Sequence, residues 1–398
     1  RRFLSLVVVE HLSAPVPAPS TPQPLLVLFH SASHTCFEPL TETALFTEAN
    51  RRGWYVVCNL GAVKQHYASE PFRIHTELVL DAVLEMLNTP GETAIDVDRI
   101  YGIGFSMGAG AAANYAATHL SPERPMFAAL VGLSGAYSNT HTHATAPSPV
   151  GNILEFWFGT GVPGTIDAFA ALRSSIFDLD AATGLVDPDT DLARNLLHVP
   201  THVRYAELDA SAYVVDQSRA FAGHLAALGH TAVSVREELG SSVHAWSLLD
   251  PAWACDFLAA HTLQRPTAAT TLADRNGRYF DFLVRQDAAT EFTPFTWQVD
   301  SAANSLAVSG TRNLSKITLL TLDAGLDPTS DLVVHVGPSP DLGASDRVVL
   351  GGYAGAPSQV LRDDVVVVQG PDWSYNAASL ELTLYERDPG LHAWQVTP

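Results

Sequence analysis

A chain of 398 residues exceeds one typical domain, and 47% hydrophobic with 9% aromatic residues supplies packed cores and excludes wholesale disorder. Aspartate and glutamate number 42 against 22 lysines and arginines, a formal net charge of −20 that opposes nucleic acid and anionic membrane surfaces. No apolar run is long enough to span a membrane. Only Lys64 and Lys316 are lysines, read as a compositional bias of the source. Cys36, Cys58 and Cys255 make neither a disulfide scaffold nor a zinc site; Cys36 and Cys58 can form one bridge or remain thiols.

In chain order, residues 3–10 read as a strand rather than a signal peptide, and 14–24 as a proline-rich loop. Residues 25–29 form the continuous apolar run of a buried parallel strand, ending in the polar loop 30–34. Helical spacing covers 40–51, a strand 54–58, and an amphipathic helix 72–87 with Ile74, Leu78, Val79, Ala82, Val83 and Met86 on one side. A strand then climbs into Gly104-Phe105-Ser106-Met107-Gly108, and a small-residue helix follows at once. Residues 127–133 are the next strand, and 135–199 are an irregular excursion of the length usually reserved for function. Regular alternation returns with a strand at 201–206, a helix at 214–228, a strand at 231–238 and a closing helix at 246–261. Such alternation predicts a doubly wound, mostly parallel α/β sheet over 1–265, with 135–199 as a cap. From 266 to 398 only short β-rich runs between turn residues remain, which predicts a C-terminal β-sandwich domain.

G-x-S-x-G between a strand and a helix is the context in which a serine is presented as a nucleophile. The turn is tight, so its flanking residues must be nearly without side chains, and the new helix points its amides at the site. The Met107 N–H can therefore face a developing oxyanion. A serine hydroxyl needs a base, and the base needs an acid. Asp209, past the strand 201–206, fits the acid, with Glu207 and Asp216 as competitors; His244, after the last core strand, fits the base. The second oxyanion donor is expected from the backbone of Ala32 or Ser31 in the loop after residue 29. His141 and His143 lack further ligands at a recognisable spacing, so neither a metal nor a cofactor is expected.

With these residues named, the half over 20–262 resembles the α/β-hydrolases of the esterase, dienelactone-hydrolase-like and prolyl-oligopeptidase-like group. The resemblance rests on Ile95-Asp96-Val97-Asp98-Arg99 leading into the elbow, on Glu207-Leu208-Asp209, and on His244-Ala245-Trp246. The chain departs from the usual His-Gly of the oxyanion loop, where it has His30-Ser31. This resemblance implies a serine esterase that forms an acyl-enzyme on Ser106, with no cofactor. His30, Phe156, Trp157 and Phe158 are the expected pocket residues, the three aromatics as walls for an apolar acyl group.

Three other readings keep the same residues. One is a polyester or plant-polymer esterase whose β-domain holds substrate through aromatics such as Trp373, Tyr375 and Trp394. Another is a peptidase or amidase, although such peptidases usually carry a propeller ahead of the catalytic domain. The last is a non-catalytic binding module. The acidic balance and the β-rich tail favour an extracytoplasmic or secreted bacterial enzyme, and the expected partner is an ester substrate, either a small molecule or a polymer.

Overall fold

The computed structural model describes residues 11–13, 21–61, 63–89, 92–338, 347–353, 355–388 and 390–398. The strand expected over 3–10 lies outside them. The chain divides into two compact units, one running to Gln264 and the other comprising Arg265–Pro398 with Leu120–Pro122. Among the described residues, no helix is long and apolar enough to cross a membrane.

The first unit is built on strands β1 (His11–Ser13), β2 (Gln23–Phe29) and β3 (Tyr55–Asn59). They are followed by a two-residue hairpin, β4 (Asn88–Thr89) and β5 (Glu92–Thr93), and by β6 (Ile95–Phe105). The remaining strands are β7 (Ala129–Leu133), β8 (Thr201–Ala206) and β9 (Val233–Glu238). Seven strands join in the order β1-β3-β2-β6-β7-β8-β9. All pairs are parallel except β1 with β3. From β2 the order runs outward to β3 on one side and to β6 on the other, so the strand order reverses there. In sheets of this kind the carboxyl ends of the strands at that reversal form the ligand crevice.

Helices cover both faces. Glu38–Glu42 (α1), Leu45–Arg51 (α2) and Glu70–Leu87 (α3) precede β6, and Met107–Thr118 (α4) follows it. Successive strand residues point to opposite faces, which divides the core. Leu26, Leu28, Tyr101, Ile103 and Phe105 join Leu45, Phe46, Trp246 and Leu258 on one side. On the other side the Phe29 ring lies 5.9 Å from that of Phe72 in α3.

The buried stripe of α3 is Phe72, Thr76, Val79, Leu80 and Val83. Ile74, Leu78 and Met86, assigned to that face from periodicity, are exposed. Two aliphatic rows compete on this helix, and Asn59 decides between them by donating to Thr76 Oγ1 at 2.6 Å from inside the sheet.

The excursion 135–199 holds α5 (Asn139–Thr145), α6 (Ser148–Phe158) and α7 (Ala168–Arg173), then 3-10 turns at Pro188–Thr190 and Leu192–Leu196. Ser138 caps α5 and Asp167 caps α7, each through its side chain. After these come α8 (Ala212–Ala227) and α9 (Pro251–Ala259). The expected single closing helix is split because Asp250 caps a new start and Pro251 occupies its first turn.

The second unit is a seven-stranded and a six-stranded sheet, each mixed. Rings from the two sheets meet: Phe282 lies 5.9 Å from Phe295 and 5.0 Å from Trp297. Trp373 and Trp394 are buried, and the Trp394 indole donates to Glu386, so neither indole is an exposed platform for polymer. Tyr375 donates its hydroxyl to the Tyr353 carbonyl. Cys36, Cys58 and Cys255 are all free and buried.

Candidate active site

Gly104 to Gly108 turns from β6 directly into α4, with Ser106 at φ 55° and ψ −120°. A non-glycine residue held at positive φ carries backbone strain that the surroundings must enforce. Here the Ser106 N–H donates to the Leu133 carbonyl at 2.8 Å, and its carbonyl accepts from Ala109 and Ala136. The glycines allow the turn to close. A Cβ on Gly104 would meet the Gly108 carbonyl oxygen at 2.1 Å, and one on Gly108 the Phe29 carbonyl oxygen at 2.2 Å.

His244 lies in the loop after β9, its ring 4.7 Å from that of Phe105. Its Nε2 is 3.2 Å from Ser106 Oγ and its Nδ1 2.5 Å from Asp209 Oδ2. Asp209 is buried beyond the end of β8, where its Oδ1 accepts the Ser211 N–H at 2.8 Å. That second bond fixes the carboxylate so that its other oxygen faces the imidazole. Glu207 instead accepts the Gly240 N–H, and Asp216 stands exposed on α8. Three residues separated by up to 138 positions are thus brought into one hydrogen-bonded line.

Met107 is the first residue of α4, so its N–H has no intrahelical acceptor. The two other expected donors part company. The Ser31 N–H donates to Glu38 Oε2 at 2.7 Å and the Ser31 hydroxyl to Oε1 at 2.6 Å. Ala32 carries no such bond among the described residues, and it lines the same cleft as Ser106. His30 is fully buried beneath the loop, its ring nitrogens 2.7 Å from the Ser31 carbonyl oxygen and 3.0 Å from that of Leu60. It holds the loop from below and does not line the cleft. Beside it, burial, reinforced by His30, pushes the His66 imidazole well below its ordinary pKa.

The cleft over Ser106 has a volume of about 420 Å³, and its walls include Ala32, Glu38, Tyr67, Val150, Tyr213 and Trp246. Burial raises the Tyr67 and Tyr213 phenols, so both stay neutral hydrogen-bonding groups. The three consecutive aromatics of α6 do not line this cleft. Neighbours on a helix project about 100° apart, so they cannot share one wall. Phe158 packs into the core with Tyr67 and Met107, whereas Phe156 and Trp157 line a separate cavity. Glu38, Tyr67, Val150 and Tyr213 were not legible as site residues, because each enters the cleft from an element with no motif. His141 is buried in α5, and His143 reaches Glu155 on α6.

The parallel sheet, the serine on its strained strand-to-helix turn and the chain order Ser106, Asp209, His244 define the α/β-hydrolase fold. No protein-family model and no curated protein sequence matches the chain. Among solved structures it is similar to an S-formylglutathione hydrolase from Agrobacterium tumefaciens, with 15% identity and a TM-score of 0.43 over 64% of this chain and 89% of that one. It is also similar to Est1E from Butyrivibrio proteoclasticus, at 16% identity and a TM-score of 0.40 over 63% and 93%. An acylaminoacyl peptidase from Pyrococcus horikoshii aligns at 15% identity and a TM-score of 0.46, and the match spans 64% of this chain but 39% of the peptidase.

Proposed function

We propose that this protein is a serine hydrolase that cleaves carboxylic esters through an acyl-enzyme on Ser106. The observation that carries this reading is the continuous line from Asp209 Oδ2 through the His244 ring to Ser106 Oγ. In this mechanism Asp209 accepts the His244 Nδ1–H, which leaves Nε2 as the base facing the hydroxyl. Nε2 takes the Ser106 proton as Oγ bonds to the ester carbonyl carbon. The carbonyl oxygen, now an oxyanion, lies between the Met107 and Ala32 N–H groups. Ser31 supplies no donor, because Glu38 already accepts its N–H. As the tetrahedral intermediate collapses, His244 returns the proton to the leaving alkoxide and the alcohol departs. Water, deprotonated by the same nitrogen, then attacks the acyl carbon, and His244 gives that proton to Ser106 Oγ as the acid is released.

The test is hydrolysis of 4-nitrophenyl esters from acetate to octanoate by the protein and its Ser106→Ala variant, beside aminoacyl-4-nitroanilides and an aromatic polyester film. Ester turnover that disappears in Ser106→Ala is the expected result. Anilide turnover without ester turnover would transfer the same residues to an amidase, and film release would extend the substrate to polymers. A folded protein inert toward all three, with Ser106 unmodified by a fluorophosphonate, would overturn the reading.

A further inference from the structure

The displaced aromatics of α6 mark a second apolar site. Phe156 and Trp157 join Val63, Lys64, Gln65, Asn152 and Ile153 around a cavity of about 290 Å³, near the lower end of the range typical of small-molecule sites. Phe156 is 77% exposed, and its ring meets Trp157 edge-on with centroids 5.0 Å apart. Phe156 thus contributes exposed apolar surface to a concave wall rather than to a core.

The cavity is tied to the Ser106 cleft. Val150 lines the cleft, while Ile153 and Trp157, on the same helix, line the cavity. With a rise of about 1.5 Å per residue, Val150 and Trp157 stand about 10 Å apart along α6. The loop after β2 is bonded to residues that line the cavity. Ser33 donates its N–H to the Lys64 carbonyl and accepts from Gln65 Nε2 at 2.7 Å, and the Trp157 indole donates to the Gln65 carbonyl.

Charge then selects an occupant. Lys64 is exposed, and among the described residues no carboxylate lies within ion-pair distance of it, whereas Lys316 pairs with Glu381. In a protein of net charge −20, an exposed lysine without an ion-pair partner among the described residues, lining an apolar cavity, is a local exception to the field. We infer that this cavity receives the far end of an ester's apolar arm and that Lys64 favours arms ending in a carboxylate. The inference rests on the hydrolase reading for the word ester, but the cavity's preference for an anionic chain can be measured without turnover.

The full-length Ser106→Ala protein is titrated calorimetrically with octanoate and with 1-octanol. Octanoate is expected to bind, and to weaken by roughly two- to fivefold in Lys64→Met while Lys64→Arg retains it, the range for one exposed ion pair. Phe156→Ala is expected to weaken both ligands, and 1-octanol to be indifferent to Lys64. Octanoate is also expected to compete with 4-nitrophenyl octanoate in the active protein, less strongly in Lys64→Met. Equal octanoate binding with and without Lys64, no binding at all, or binding without competition against the active protein would each overturn the inference. A protein that binds octanoate through Lys64 but hydrolyses no ester, with Ser106 unlabelled by a fluorophosphonate, would instead sink the hydrolase reading and leave the anionic-chain site standing.

Discussion

Glu38 holds Ser31 at two points, accepting its N–H at 2.7 Å and its hydroxyl at 2.6 Å. The carboxylate is itself buried in the first turn of α1, so the loop that carries Ala32 is fixed to the fold by a charge-assisted pair of hydrogen bonds. In the proposed mechanism Glu38 is a positioning residue for the Ala32 N–H. Glu38→Ala is expected to lower kcat by about 10²-fold with little change in KM, the scale of losing one oxyanion donor. Glu38→Gln keeps one acceptor and should recover part of the loss. A parallel fall in thermal stability with kcat per folded molecule intact would refute the positioning role.

Asp209 meets His244 with one carboxylate oxygen and Ser211 with the other. Asp209→Asn preserves the shape but presents an amide donor where Nδ1–H requires an acceptor. A fall in kcat on the order of 10³- to 10⁴-fold is expected, and labelling of Ser106 by a fluorophosphonate should slow in step. Ser106→Ala should abolish labelling entirely. Rapid labelling of Asp209→Asn would show that another acid serves His244.

Gly108 offers no room at all. A methyl group there would lie 2.2 Å from the Phe29 carbonyl oxygen and 2.6 Å from that of His30, both backbone atoms of the neighbouring β2 end. Gly108→Ala is expected to destabilise by about 3 kcal/mol or to prevent folding, because backbone cannot yield as a side-chain tip does. By contrast Gly151→Ala, in the same unit and with open space around its Cα, should leave the melting temperature within a few degrees of the parent. Equal melting temperatures for both variants would refute this account of the elbow.

Acid should unfold the protein by way of His202 and His198. Burial, with Arg204 and Arg236 nearby, pushes the His202 imidazole down to about 4, and burial with His230 does the same to His198. Between that value and the ordinary 6.5 the unfolded chain binds more protons than the folded one, so stability rises with pH through this window and is lost as pH falls. By about pH 4 each histidine has withdrawn on the order of 3 kcal/mol. Urea midpoints at pH 7.5, 5.5 and 4.5 should decline, and the decline should be shallower in His198→Gln/His202→Gln. An unchanged slope in that variant would assign the acid lability elsewhere.

The sheet and the elbow were legible because apolar runs and glycine spacing report buried strands and close backbone approach directly, as at Leu25 to Phe29 and at Gly104 to Gly108. That Asp209 and His244 stand near Ser106 could be expected, because chain order and strand ends limit where such residues lie. The rest depends on three-dimensional packing. Which aliphatic row of α3 faces inward turned on Thr76 bonding to Asn59, and Ser31 was removed as a donor by a glutamate seven positions away. The α5 helix was hidden by a Thr- and His-rich sequence of low intrinsic preference and α7 by its length of only 6 residues, and both are held by side-chain caps. In the β unit the individual strands have no legible bounds, because short strands flanked by turn residues, such as Gln359–Arg362 and Trp373–Asn376, leave little alternation to detect.

The methyl-free contacts at Gly104, Gly108 and Gly110 also divide the molecule by its capacity to vary. A Cβ at any of the three would run into main-chain oxygen within 2.2 Å, so these positions admit one residue each. Val63, Asn152 and Phe156, which surround the neighbouring cavity, lie toward solvent or on one side of a single helix and can be exchanged singly. Selection acting on this chain can therefore vary the lining of that cavity many times over, while the placement of Ser106 is inherited as a fixed unit.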